Sequence, residues 1–527
     1  GVDGVTLSGT LTLQVNTTGA AVNESVAVGA GSVDIVYGDA AEIKQYTGTV
    51  EFGAADFVTI SGDFAFDKTG TTPDTTIRAA VANGAVSMSA GTVEVGLSAA
   101  NVGLILNEDG TYAVDGTGEI SVTAPGLTAS GTASVRKNNT GADVTESISI
   151  GVVDVDLDVA NGVESIFGTG VSVSVADFVG ISGDFGFRKS GTGIDAVARN
   201  VTATLDTGSS SAGVQNGELA LVLGNDGGRA LYAQGDFRLT GDDFASAAGT
   251  VTVKQNTSGA DVGARAVAVD GITVNAPAIT AGASSVSGTG LSFTVAGSVH
   301  IEGDLDFEKS GTDVTAAAAD ATAFLGTGYG TADEVGVKAT GASGALLITD
   351  TGVAAGITGN AAAIVGVDGL GLSGAGLELR INTTGAAVDQ TVTTPAGDVT
   401  INIANGADVC ELTGGALTLD LQGLVQLTGQ VVFTDASNGT QKILAAGEQL
   451  TGLIGAGGKG IQLSGGQLAV ALIEDADGSW GYAAQGSANA AAVGLTDVTV
   501  LPGSTIGIEV NKTGAAVNET VTLSNGT

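Results

Sequence analysis

One histidine, one cysteine, one tryptophan, one methionine and five prolines stand in 527 residues. A Ser-His-Asp or Cys-His nucleophile system would have to use His300, the single histidine. Histidine metal clusters are excluded outright. Alternation along its strand points His300 outward, as an incidental surface residue. Cys410 stands alone, so no intrachain disulfide framework exists, and the expected place for its thiol is buried or half-buried. Aromatics make up 4% of the chain and Trp480 is the one tryptophan, too few for sugar-stacking platforms or for the aromatic girdles of an outer-membrane barrel. Lys and Arg number 18 against 56 Asp and Glu, giving a net charge of −38 and a pI near 4.1. Such a surface repels phosphate backbones and anionic lipid. The longest apolar stretch, from Thr351, is broken by Gly, Thr and Asn, so no membrane-spanning helix is expected. The chain opens on Gly1 rather than Met, and it begins and stops at about the same phase of its repeat. Both fit a leader removed or a segment of a longer array.

What is abundant is glycine, 86 residues, and small apolar residues within a 43% hydrophobic total. Disordered chains lack that apolar content, so this one is ordered. The pattern Asn-x-Thr/Ser-Gly-Ala-x-Val starts at Asn16, Asn138, Asn256, Asn382 and Asn511. Its glycines are Gly19, Gly141, Gly259, Gly385 and Gly514, a step of about 120 residues, and such tandem copying must be read first. A second marker, FVTISGDFAFDKTG around Gly62, returns around Gly183 and Gly303 and, worn down, around Gly429. A third, two apolar runs about an Asp/Gly turn, recurs from Val102, Leu219, Gly344 and Leu468. These markers define repeats at 1–122, 123–240, 241–366 and 367–495, the last diverged, and a partial fifth at 496–527.

Within a repeat the apolar period is two. Val5, Leu7, Gly9, Leu11, Leu13 and Val15 share one face; Val58, Ile60, Gly62, Phe64 and Phe66 share another. That alternation predicts strands covered on one side. The glycine of each Ser-Gly pair falls at mid-strand on the inward face, where it marks a kink, bulge or close backbone approach. Gly density argues against helix throughout; the best helical candidate is the segment from Gln441. The predicted fold is all-β, an elongated tandem array of long, Gly-kinked, mostly antiparallel strands, with a β-solenoid as the alternative.

Three sets of residues invite a functional reading. Asn16, Asn138, Asn256, Asn382 and Asn511 fit the N-glycosylation pattern, as do Asn23, Asn200, Asn518 and Asn525; Asn, Thr and Gly are equally good turn formers. Asp475 and Asp477 with Asp226 and Asp109 sit in acidic turns, the weak metal candidates. A calcium loop needs more oxygens than these turns supply, so plain hairpins are expected and no cofactor beyond a weakly supported calcium. Asp63, Asp184 and Asp304, with Lys68, Lys189 and Lys309 five residues on, read as a solvated face with weak pairing. No pair of carboxylates is singled out for glycoside hydrolysis.

The Ser-Gly-Asp-Phe strand with its Lys-Ser/Thr-Gly turn, and the Asn-x-Thr-Gly-Ala-x-Val turn, resemble the units of giant tandem-repeat surface and secreted proteins of prokaryotes, such as repeat-type adhesin stalks. That resemblance implies an extracellular or cell-surface location, a spacer, adhesin or filament role, and often calcium stiffening. The expected function is therefore a non-enzymatic rod or filament that associates with itself or with neighbouring repeats, binding neither nucleic acid nor membrane. The alternatives are an adhesin that grips a glycan or protein through its loops and, disfavoured, an outer-membrane β-barrel.

Overall fold

The computed structural model describes residues 5–521 apart from 39–42, 55–56, 72–73, 151–152, 176–178, 296, 395–396, 405, 439 and 476–477. Among these residues there is no helix, and hence none long and apolar enough to cross a membrane. Thirty strands belong to one sheet, and four two-stranded hairpins stand apart from it. Every strand pair with a described register is antiparallel, which replaces the parallel rungs of a solenoid. The sheet is not closed into a barrel. The helical candidate after Gln441 is the strand Lys442–Ala456, paired on both sides.

The first repeat sets the pattern. A strand split by Gly9 into Val5–Gly9 and Thr12–Asn16 leads through the Asn-Thr-Thr-Gly turn into a hairpin, Val22–Val28 with Gly31–Tyr37. Five long strands follow: Ile43–Ala54, Val58–Thr69, Thr76–Ala90, Val93–Asn107 and Tyr112–Thr123. Each pairs with the next, and the last pairs with the split strand of the second repeat. The other repeats run in the same order, the fourth included, and the fifth contributes Thr505–Asn511 beside Trp480–Val493. By contacts the chain forms two compact units, 1–203 with 215–235 and 253–284, and 204–214 with 236–252 and 285–527. Their boundary cuts across long strands rather than falling between repeats. Within each, turns of successive repeats meet: Thr92 N donates to Asn225 O at 2.9 Å in the first, and Thr207 Oγ1 to Thr349 O at 3.3 Å in the second.

The kink expected at the Ser-Gly pair is present and is wider than one residue. Register slips on either side of Gly62, Gly303 and Gly429. In the strand after it, Asn83, Asn200, Asp320 and Gln449 take φ of 53°, 54°, 47° and 51° at equivalent places. In the next, Ala99, Asn216, Gly341 and Gly465 do the same, at 47°, 51°, 57° and 57°. A row of bulges thus crosses neighbouring strands and bends them together. Alanine tolerates this conformation poorly, so Ala99→Gly is expected to raise stability by up to about 1 kcal/mol, read as a higher urea midpoint.

The bulge row also divides burial. Beyond it Val86, Met88 and Ala90 are buried while Ser87 and Ser89 are not, the alternation the sequence predicts. Before it Ala79, Ala80 and Val81 are all buried, because both faces are covered there. The second cover is the next repeat's hairpin. In the first unit Ile148, Ile150, Val155 and Leu157 of the second hairpin pack on Ala65, Ala80, Ile105 and Ala113. There, too, Val267, Val269 and Val274 of the third hairpin pack on Val197, Ala220, Ala230 and Tyr232. In the second unit Val388, Val392, Ile401 and Ile403 cover Ala345, Leu347 and Ala354.

Candidate functional site

The repeated asparagines close their own turns. In the second repeat Asn138 Nδ2 donates to Ala142 O and Val159 O, both at 2.8 Å, while Oδ1 accepts from Thr140 N at 2.9 Å and Thr140 Oγ1 at 2.8 Å. The third repeat repeats this with Asn256, Ala260 O, Ile279 O and Ser258. Asn16, Asn138, Asn256 and Asn382 are each no more than 2% exposed. The side-chain nitrogen that would carry a glycan is therefore spent on backbone carbonyls, which supports the turn-forming role. Asn511 differs: it is exposed, and Ala515 O is the acceptor of its Nδ2 at 2.8 Å.

The acidic turns behave alike. Asp109 Oδ1 accepts from Thr111 N and Oγ1 at 2.9 and 2.7 Å, bonds that hold its carboxyl below the usual range. Asp226 Oδ1 accepts from Gly228 N at 2.9 Å, and Asp475 closes its turn through its backbone, to Ser479 and Gly478. Asp477 lies outside the described residues. Asp63 and Asp304 are exposed, as expected of a solvated face, and Asp184 is half-buried; two of them also cap the bulge, Asp184 Oδ1 accepting from Gly170 N at 3.2 Å and Asp304 Oδ1 from Gly290 N at 3.0 Å. Asp63 accepts from Thr49 Oγ1 at 2.6 Å on the neighbouring strand. Among the described residues no three His, Cys, Asp or Glu side chains are placed to hold a metal.

His300 is not an incidental surface residue. Its ring stacks on Tyr329 with centroids 4.0 Å apart, and burial lowers its pKa. The same burial, with Glu302 beside it, pushes the Tyr329 phenol up to about 12. Lys338 stands over the Tyr329 ring at 5.1 Å and pairs with Glu334, while His300 Nε2 is buried without a hydrogen-bond partner among the described residues. The Cys410 thiol is half-buried as expected, raised in pKa by burial, with Ser298 Oγ at 3.9 Å. Two shallow acidic grooves occur. One, of about 480 Å³, joins Asp115, Asp154, Asp156 and Asp158 to Arg136; the other, of about 630 Å³, gathers Asp242, Asp243, Asp408, Glu411 and Asp435. The second is also lined by Cys410 and by Thr383, whose Oγ1 donates to Asp243 Oδ2 at 2.8 Å.

The contact that recurs is the hairpin seat, and it is built for fit. Gly103 makes room for it, since a Cβ there would collide with Leu157 Cδ1. Its equivalents in the second and third repeats, Ala220 and Ala345, are scarcely larger. A charge pair marks the junctions. Arg78 on the sheet holds Glu146 on the second hairpin at 3.2 Å. At the same two places in the next junction the signs are reversed: Asp195 on the sheet holds Arg265 on the hairpin at 2.6 Å. The third junction carries the uncharged Thr315 and Gln390. In the fourth, Glu519 occupies the hairpin place and reaches Lys442 at 2.5 Å, two residues earlier on the same sheet face. Sequence reasoning missed this seat, although the sign reversal between repeats is legible once the bulge asparagines align the strands. No protein-family model, curated protein or solved structure matches this chain.

Proposed function

We propose that this chain is a non-enzymatic structural protein, an extracellular or cell-surface rod or filament built from repeats of about 120 residues, in self-association or with neighbouring repeats as its partners. One observation carries the reading: a hairpin buries its apolar face not on its own repeat but on the repeat before it. A module of that kind is stable only beside its neighbours and extends by addition at its ends. The role needs no cofactor, no nucleic acid and no membrane, and the repeated asparagine turns spend their side chains on holding their own backbone. Negative-stain microscopy of native material is expected to show thin rods or filaments with a regular axial repeat. Compact, monodisperse globules would sink the proposal.

A further inference from the structure

Ten of the fifteen large apolar side chains that stand exposed among the described residues lie within the first 46. Leu7, Leu11, Leu13 and Val15 form one stripe on the split strand; Val26, Val28, Val33 and Ile35 form another on the first hairpin. A patch of that kind on a soluble chain marks an interaction surface. What covers it can be read from the other repeats. Val135, Val253 and Leu379, which occupy the place of Leu13, are all fully buried, whereas Leu13 is 57% exposed. Ile148 and Val155, which occupy the places of Val26 and Val33, are buried on the preceding repeat. The split strands of later repeats likewise pair with the last strand of the repeat before them. Among the described residues, strand 5–16 pairs with Ile43–Ala54 alone.

Among the described residues the fourth repeat presents the matching seat half filled. Residues 517–521 lie in the place of a first hairpin arm, and beside them runs a groove of about 400 Å³ lined by Ala469, Ala471 and Ala483. These three stand where Ala345, Leu347 and Ala354 lie under a complete hairpin, yet Ala469 and Ala483 are only half-buried. Residues 511–521 differ from residues 16–26 only in having Lys512 for Thr17 and Thr520 for Ser25. Glu24 is thus the counterpart of Glu519, the partner of Lys442.

We propose that residues 5–37 of one copy seat on the fourth repeat of a second copy in the place that residues 505–521 occupy, laying the first hairpin over Ala469, Ala471 and Ala483 with Glu24 on Lys442. The proposal rests on the structural reading above and names its partner. The exchange favours the incoming segment, which repeats every anchor of the one displaced and adds a second hairpin arm with Val33 and Ile35. Strand addition at an open edge supplies the backbone bonds, and the side chains supply register. The third hairpin, with Arg265 in the charged place, would meet Lys442 with like charge, so the seat rejects it.

Sedimentation velocity on the full 527-residue chain is expected to show concentration-dependent oligomers. Ile35→Asp, an exposed position that leaves the fold intact, should remove them. Glu24→Lys alone should weaken association roughly tenfold by like charge against Lys442, and mixing it with Lys442→Glu chains should restore it. With Cys410 replaced by Ser, the pair Ile35→Cys and Ala469→Cys should oxidise to a ladder of linked chains. A monomer at every concentration, or a disulfide that closes within one chain, overturns the exchange. Rods seen in native material beside a monomeric 527-residue chain would defeat the exchange alone, whereas globular native material defeats the rod reading.

Discussion

Leu157→Asp is expected to destabilise the protein by about 3–5 kcal/mol, while Ile35→Asp at the equivalent place of the first hairpin changes stability by less than about 0.5 kcal/mol. The two side chains occupy the same register, opposite Glu146 and Glu24 on their paired arms. Leu157 is 1% exposed, in van der Waals contact with the strand that carries Gly103, among Ile105, Ala113 and Ile148. Truncating a leucine there costs about 2–5 kcal/mol through lost transfer energy and cavity, and a carboxylate adds an unpaired buried charge. Ile35 is 40% exposed and has little to lose. Guanidinium titration of both variants gives the energies. Hydrogen exchange should show the first variant opening at Val144–Ile150 and Val153–Val159 together with Val93–Asn107. Equal losses for the two variants would mean that the hairpin seat contributes nothing.

This contrast also marks where sequence reading stops. Alternation along Val58, Ile60, Phe64 and Phe66 identifies strands, and the Ser-Gly-Asp marker identifies the bend. Turn chemistry at Asn107 through Gly110 identifies a hairpin, and all three readings agree with the structure. The reading of strands covered on one side fails where Ala79, Ala80 and Val81 run together, because alternation vanishes once a second layer covers the strand. The sequence does record that layer, as alanine and glycine at Gly103, Ala220 and Ala345, but small residues alone do not say what approaches them. Asn83 and Asn216, each followed by glycine, look like hairpin turns, yet they are bulges inside strands of 15 and 13 residues. A local signal for positive φ does not distinguish a reversal from a bulge. His300 was misplaced for a related reason: alternation gives the side of the strand, and the Gly328–Glu334 loop that brings Tyr329 over that side is not periodic.

The repeated asparagine yields the second large effect. Asn138→Ala removes two donors and one acceptor from a buried turn, leaving Val159 O and Thr140 N without their side-chain partner. Each buried group so orphaned costs about 1–3 kcal/mol, so a loss of about 2–4 kcal/mol is expected, and the same for Asn256→Ala. Asn511→Ala should cost about 1 kcal/mol, because that side chain is exposed and donates to Ala515 O alone. Asn138→Asp separates hydrogen bonding from shape. The new carboxylate would face the carbonyls of Ala142 and Val159, so it resists ionisation in the folded state more than in the unfolded one. Its folded pKa is then raised, and the variant's stability falls as pH rises through the ordinary carboxylate range near 4. Urea midpoints at pH 3.5 and pH 7 measure that slope; a variant insensitive to pH would mean that Nδ2 does not hold those carbonyls. The same bonds bear on modification. A glycan on the buried Asn16, Asn138, Asn256 or Asn382 would have to break the turn that carries it, so peptide mapping of native material is expected to find all four bare, with Asn511, exposed although its Nδ2 also donates to Ala515 O, the member of the series placed to carry sugar.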